Sequence, residues 1–76
     1  MIKIAVMDFN GIRILESYQN KAKALKEFKT YNVGLLNCSV GDDADLKLLQ
    51  VCPESDNWDH RGNNEYYKEI ATRFII

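Results

Sequence analysis

The sequence is poor in the residues that do chemistry. Its 76 residues include one histidine, His60, two cysteines, Cys38 and Cys52, one proline and one tryptophan. A lone histidine and two widely spaced cysteines, with no CxxC, give neither a zinc-ligand spacing nor the disulfide framework on which small secreted domains rely. There is no GxxxxGK[ST] phosphate loop, no GxGxxG, no GxSxG elbow and no HExxH. No run approaches the 18 or more apolar residues of a membrane-spanning helix. The chain opens on an alternating segment, without a basic start, an apolar run and a small-residue cleavage site. These absences lead us to expect a cytoplasmic protein with reduced thiols, no cofactor, no metal and no membrane partner.

The remaining routes to chemistry are thin. A Cys38 or Cys52 nucleophile with His60 as base is the one enzymatic arrangement the composition allows, since a thiolate needs a neighbouring imidazole or positive field. Nothing in their spacing supports it, and small core cysteines are the simpler account. Asp42, Asp43 and Asp45 lack the frame of a calcium loop and its distant glutamate. They read as a solvated turn or a helix N-terminus. Asp56, Asp59 and His60 lie on one polar loop, a poor support for a metal ion. No catalytic residue is assigned, and the expectation is that the chain is not an enzyme.

What is present is ordinary globular composition, 46% hydrophobic, 28% charged and 11% aromatic. At this length one domain spanning 1–76 is expected, burying only roughly 60% of its unfolded surface. Net charge is −1, which gives no global attraction to nucleic acid or membrane. The charge is unevenly spread along the chain. Residues 1–32 set Lys3, Arg13, Lys21, Lys23, Lys26 and Lys29 against Asp8, Glu16 and Glu27; residues 33–60 set Lys47 against six acids from Asp42 to Asp59.

Residues 1–18 read as a β-hairpin about Asp8-Phe9-Asn10-Gly11, a type I turn closed by a left-handed glycine. Setting Asp8 opposite Ile12 places Val6 opposite Ile14 and Ile4 opposite Glu16. One face then carries Ile2, Ile4, Val6, Ile12 and Ile14. Residues 20–32 read as an amphipathic helix with Asn20 as N-cap. Ala24, Leu25, Phe28 and Tyr31 fall in one arc of about 120°, with Lys23, Lys26 and Lys29 opposite. Val33 to Val40 is expected as a third strand. Asp45 to Cys52 fits either a strand or a helix capped by Asp42, with strand preferred. Pro53 to Asn63 reads as a polar loop. A final helix is then expected, capped by Asn63 or Asn64, with Tyr66, Tyr67, Ile70, Ala71 and Phe74 as its stripe. The fold class is therefore α+β, a small antiparallel sheet of three to four strands in ββαβ(β/α)α order, with one or two helices on one face. The alternating strand, glycine turn, second strand and helix of the first 32 residues resemble the opening of β-grasp, ubiquitin-like domains. Phe74-Ile75-Ile76 stands where the exposed diglycine tail used in conjugation would be.

Two surfaces carry the functional expectation. Trp58 is the residue type most enriched at binding hot spots, and it sits among Asp56, Asp59, His60 and Arg61. It either pins its loop to the core or projects toward a partner, and these five residues are the candidate partner-binding set. Lys21, Lys23, Lys26 and Lys29 form a candidate face for nucleic acid or an acidic partner. The apolar C-terminus is either a core plug or a patch covered by a second copy. The leading expectation is a small non-enzymatic protein-binding module, a regulator or inhibitor that masks a surface on a larger partner. Free-standing chains of this size are often of that kind, those of phages and mobile elements included. The alternative is a nucleic-acid-binding accessory protein that uses the lysine helix.

Overall fold

Alternating apolar residues at the start of the chain form the expected hairpin, in a register that departs from the expected one near the turn. In the computed structural model, which describes residues 1–36 and 43–75 and the backbone alone of Leu35, β1 (Ile2–Asp8) and β2 (Gly11–Tyr18) are antiparallel. Ile4 lies opposite Glu16, as the sequence implies, and Ile2 opposite Tyr18. Nearer the turn the ladder slips by one residue, so that Ala5 faces Ile14, Met7 faces Ile12 and Asp8 faces Gly11. The expected Val6–Ile14 and Asp8–Ile12 pairs are not formed. Leu15 is the extra residue of a β-bulge, and a one-residue slip moves side chains to the opposite face. Ile12 and Ile14 thus join Ala5 on one side of the sheet, while Leu15 and Tyr18 join Ile2, Ile4 and Val6 on the other. Gly11 takes a φ of +118°, and Asp8 Oδ1 accepts the Asn10 N–H at 2.8 Å.

The helix α1 (Lys21–Thr30) begins where Asn20 Oδ1 accepts the Lys23 N–H at 3.0 Å. This cap satisfies one of the orphan donors of the first turn. Ala24 and Phe28 are buried, and Leu25 and Tyr31 pack beside them against Ile2, Ile4, Val6, Leu46 and Leu48. The helix lies over β1, β2 and β3. Its C-terminal carbonyls are held from the sheet, because Arg73 Nη1 donates to Phe28 O at 2.8 Å and to Tyr31 O at 3.0 Å.

The third strand expected over 33–40 is not formed at its start. Val33–Leu36 is a 3₁₀ turn, with the Gly34 N–H donating to Asn32 Oδ1 at 3.1 Å. The rest of that span, with Cys38, lies outside the described residues. Asp45–Cys52 is a strand, β3, and it pairs with β1 on one side. Its other neighbour is the segment expected to be the final helix. Glu65–Phe74 is a ten-residue strand, β5. A bulge explains the misreading. The register shifts opposite Leu48 and Leu49, leaving Ile70 as the extra residue of β5, so apolar residues 67, 70, 71 and 74 copy helical spacing while the backbone stays extended. The polar loop also contains a strand, β4 (His60–Gly62), paired with Glu65–Tyr67. Asn63 and Asn64 take φ of 53° and 62°. Two consecutive left-handed residues between paired strands make the type I′ turn of a hairpin, not a helix cap.

Among the described residues the result is an α+β fold with five antiparallel strands in the order β2-β1-β3-β5-β4, more than the three to four expected, and one α-helix. The β-grasp resemblance extends no further than the ββα opening. The sheet curls until its two edge strands touch. A Cβ on Gly62 of β4 would stand 3.3 Å from Ile12 Cδ1 of β2, and Asn63 Nδ2 donates to Ile12 O at 3.2 Å. That curl encloses a second cluster of Ala5, Leu49 and Tyr67, with Ile12, Ile14 and Val51 against it, on the face that no described helix covers.

Candidate functional site

The β4–β5 hairpin presents the tryptophan loop. Backbone bonds shape its approach: Asp56 N–H to Pro53 O at 3.0 Å and Asp59 N–H to Tyr67 O at 2.8 Å. Asp59 Oδ2 accepts the Glu69 N–H at 2.8 Å, so Asp59 is the residue that ties the loop to the sheet. Trp58 is not in either core cluster. It is 41% exposed, with its ring 5.0 Å from that of Tyr66 at a tilt of 57°. Arg61 sets its guanidinium 5.4 Å from the same Tyr66 ring, a cation–π distance. Asp56 reaches Lys68 at 3.6 Å. Tyr66 lies opposite Cys52 and Arg61, and Lys68 opposite exposed Gln50. The register places these residues on the same side of the sheet as α1, toward the strand ends that α1 leaves uncovered.

The five residues picked from the loop therefore separate. Asp56, Trp58 and Arg61 share the Tyr66 surface, while Asp59 bonds the backbone and His60 turns to the other face. There His60 Nε2 contacts Glu69 Oε1 at 2.8 Å, Lys47 Nζ reaches the same oxygen at 2.8 Å, and Thr72 donates to Glu69 Oε2 at 3.0 Å. These bonds, led by Lys47 and then His60, hold the Glu69 carboxyl down at about 2. A second group on this face joins Lys3 to Glu65 at 2.7 Å, with the buried Tyr67 hydroxyl donating to Glu65 at 3.0 Å. Lys3 is the main cause of a lowered Glu65 carboxyl, and burial the main cause of a raised Tyr67 hydroxyl. Sequence reasoning missed Tyr66, Lys68 and Glu69, because each was assigned to a helix. The Asn63-Asn64 pair, a turn signal directly before the β-prone Tyr66-Tyr67, could have found them.

Lys21, Lys23, Lys26 and Lys29 are all exposed on α1, and none forms an ion pair with a described residue. A Cys52–His60 dyad is not assembled: Cys52 is in register with Tyr66 and His60 with Tyr67, neighbours that point to opposite faces. Among the described residues no three His, Cys, Asp or Glu side chains gather as metal ligands. No described helix is long and apolar enough to cross a membrane. The C-terminus splits between its two readings, with Ile75 buried in the core and Phe74 80% exposed. Comparison of the chain with family models, with curated proteins and with solved structures finds no match in any of the three.

Proposed function

We propose that this chain is a non-enzymatic protein-binding module, a regulator or inhibitor that acts by covering a surface on a larger protein or complex. Its contact centre is Trp58 on Tyr66, with Arg61 beside them and Asp56 and Lys68 as a polar rim. The observation that carries this reading is the half-exposed Trp58, supported from below by Tyr66 while other bonds anchor its loop. A large ring already ordered in the free protein loses little side-chain entropy when a partner covers it, which is what hot-spot aromatics exploit. The Arg61 cation on the same ring adds a group that is itself common at hot spots.

The test is a pull-down from source-cell lysate, divided into nuclease-treated and untreated halves, with wild type and Trp58→Ala as baits. One stoichiometric protein that survives nuclease and is lost with Trp58→Ala is the expected result, provided the variant still unfolds cooperatively. A second reading rests on the four exposed lysines of α1, none of them paired with a described residue, which suit a phosphate backbone. It expects captured material to vanish with nuclease and affinity to fall steeply with salt. Substituting Lys23, Lys26 and Lys29 together with Glu would then abolish binding, while Trp58→Ala would leave it intact.

A further inference from the structure

We propose that the partner seated on Trp58 also covers α1, and that it is a protein whose facing surface is acidic, with carboxylates set against Lys23, Lys26 and Lys29. The proposal rests on the protein-binding reading above and names the chemistry of the partner. Charge divides unevenly between the two sides of the sheet. On the curled side Glu65 holds Lys3 at 2.7 Å, Glu69 bonds Lys47 and His60 at 2.8 Å each, and Asp45 lies 3.9 Å from Lys47. These groups are already matched inside the chain and offer a partner little unmet charge.

The side that carries α1 is different. Lys21, Lys23, Lys26 and Lys29 are exposed and pair with no described residue. Arg61 is exposed beside the Tyr66 ring. Acids here are fewer. Asp56 is engaged by Lys68 at 3.6 Å. Glu16, placed on this side by its register with Ile4, and Glu27 of α1 both sit toward Tyr18 on the β2 edge, three strands away from Tyr66.

A single partner can reach both surfaces. Ile70 packs against the core beneath α1 and stands four residues along β5 from Tyr66, roughly 13 Å. A standard interface takes about 800 Å² from each partner, a disc roughly 32 Å across. The longest dimension of the whole molecule is 35 Å. A partner of ordinary size resting on Trp58 therefore overlies part of α1.

The charge pattern selects a protein over a nucleic acid. A phosphate backbone is negative along its whole length and suits α1 alone. Beside Trp58 it would meet Glu54 and Asp56, two exposed acids of the same loop. A protein surface can set carboxylates over α1 and neutral or basic groups over that loop, and so matches both halves. The lysines then act mainly on the rate of encounter, and Trp58 on the lifetime of the complex.

Carbodiimide cross-linking reads the lysine contacts directly. The wild-type chain, immobilised in nuclease-treated source-cell lysate, is treated with a water-soluble carbodiimide, which joins an amine to a carboxylate where the two touch. Mass spectrometry then locates the new amides. The expected result joins Lys23, Lys26 or Lys29 to an aspartate or glutamate of the protein that Trp58→Ala no longer holds. Lys23→Gln, Lys26→Gln and Lys29→Gln combined should weaken capture of that protein about tenfold, mainly through a slower on-rate, and flatten its salt dependence. A protein lost with Trp58→Ala, held equally by the folded triple variant and never joined to α1, overturns this inference and leaves the binding reading standing. Where the triple variant does not fold, the cross-links alone decide. Captured material that vanishes with nuclease, or a wild-type bait that holds no protein, removes the binding reading and this inference with it.

Discussion

The two faces of this sheet solve the same problem with different means. On one face α1 supplies the cover, and Ile2, Ile4, Val6, Leu46 and Leu48 are buried beneath Ala24 and Phe28. On the other face no described helix is available, and the sheet covers itself by curling until Gly62 of β4 meets Ile12 of β2. The arithmetic explains why both are needed. Five strands at about 4.8 Å make a sheet roughly 24 Å wide, and one helix is only about 10–12 Å across. A single helix can protect about half of one face. Bulges at Leu15 and Ile70 relieve the shortage, because each turns part of a strand over and shares its apolar residues between the two sides. The part of the helix-side surface that remains uncovered carries Trp58, Tyr66 and Arg61. The candidate contact surface thus occupies an area that no described element covers.

If both faces are true cores, each should be sensitive to truncation. Phe28→Ala beneath the helix should cost about 3–5 kcal/mol, the usual range for a buried phenylalanine. In a domain this small that approaches the whole stability. Leu49→Ala on the curled face should cost about 2–4 kcal/mol despite its smaller cluster, because Leu49 is fully buried against Tyr67 and Ala5. Urea unfolding of both variants makes the comparison. A loss below about 1 kcal/mol for Leu49→Ala would mean that the curled face is loosely packed and the helix side is the only core.

The faces also differed in how readily the sequence disclosed them. The helix side was legible: Asn20 as cap, the arc of Ala24, Leu25, Phe28 and Tyr31, and the Ile2-Ile4-Val6 row all stand where periodicity places them. The curled side was not, because Ile12 and Ile14 reach it through a bulge and Tyr67 lies in a strand whose own bulge imitates a helix. Pattern reasoning assumes an unbroken period of 2 or 3.6, and one inserted residue turns a strand's spacing into a helix's. Ile70 did so in β5, and Leu15 moved Ile12 and Ile14 away from their assigned face. The candidate site was half legible for the same reason. Trp58, Asp56 and Arg61 were visible as unusual residues in a polar loop. Their support, Tyr66, was concealed within the supposed helix, and His60 and Asp59 were grouped with them by adjacency although alternation along β4 sends His60 to the other face.

Arg73 links the two regions, since it sits on β5 and donates to the last carbonyls of α1. Arg73→Met keeps much of the side-chain volume and removes both bonds. We expect a loss of about 2 kcal/mol, in the range for hydrogen bonds from a charged donor, with helix signal fraying before the sheet unfolds. Lys29→Met, also in the last turn but exposed, should cost no more than about 0.5 kcal/mol. A smaller effect is expected at the seam. A methyl group on Gly62 meets Ile12 at 3.3–3.4 Å, tighter than ordinary contact, so Gly62→Ala should cost about 1 kcal/mol. Ile12→Val on the Gly62→Ala background should recover part of that loss by relieving the contact. A double-mutant cycle with no coupling would show that the edges do not press on one another.

The smallest effect concerns the polar part of the curled face. Glu69 is held at about 2 against an ordinary 4.5 by Lys47, His60 and Thr72. A carboxylate whose value is depressed by folding adds stability that is fully present above its unfolded value and is lost as pH falls toward the folded one. The window here is pH 4.5 down to about 2. The Glu69 side chain is 34% exposed, so solvent and salt screen the network and the contribution should be below about 1 kcal/mol. Glu69→Gln removes the titrating group and leaves Lys47 near Asp45 at 3.9 Å. Urea midpoints measured from about pH 5 to about pH 2 should therefore fall less steeply for Glu69→Gln than for wild type. Lys29→Met, which lies on α1 and does not touch the network, should keep the wild-type slope. Identical slopes for Glu69→Gln and wild type would show that the charge of Glu69 contributes nothing to holding β4 and β3 against β5.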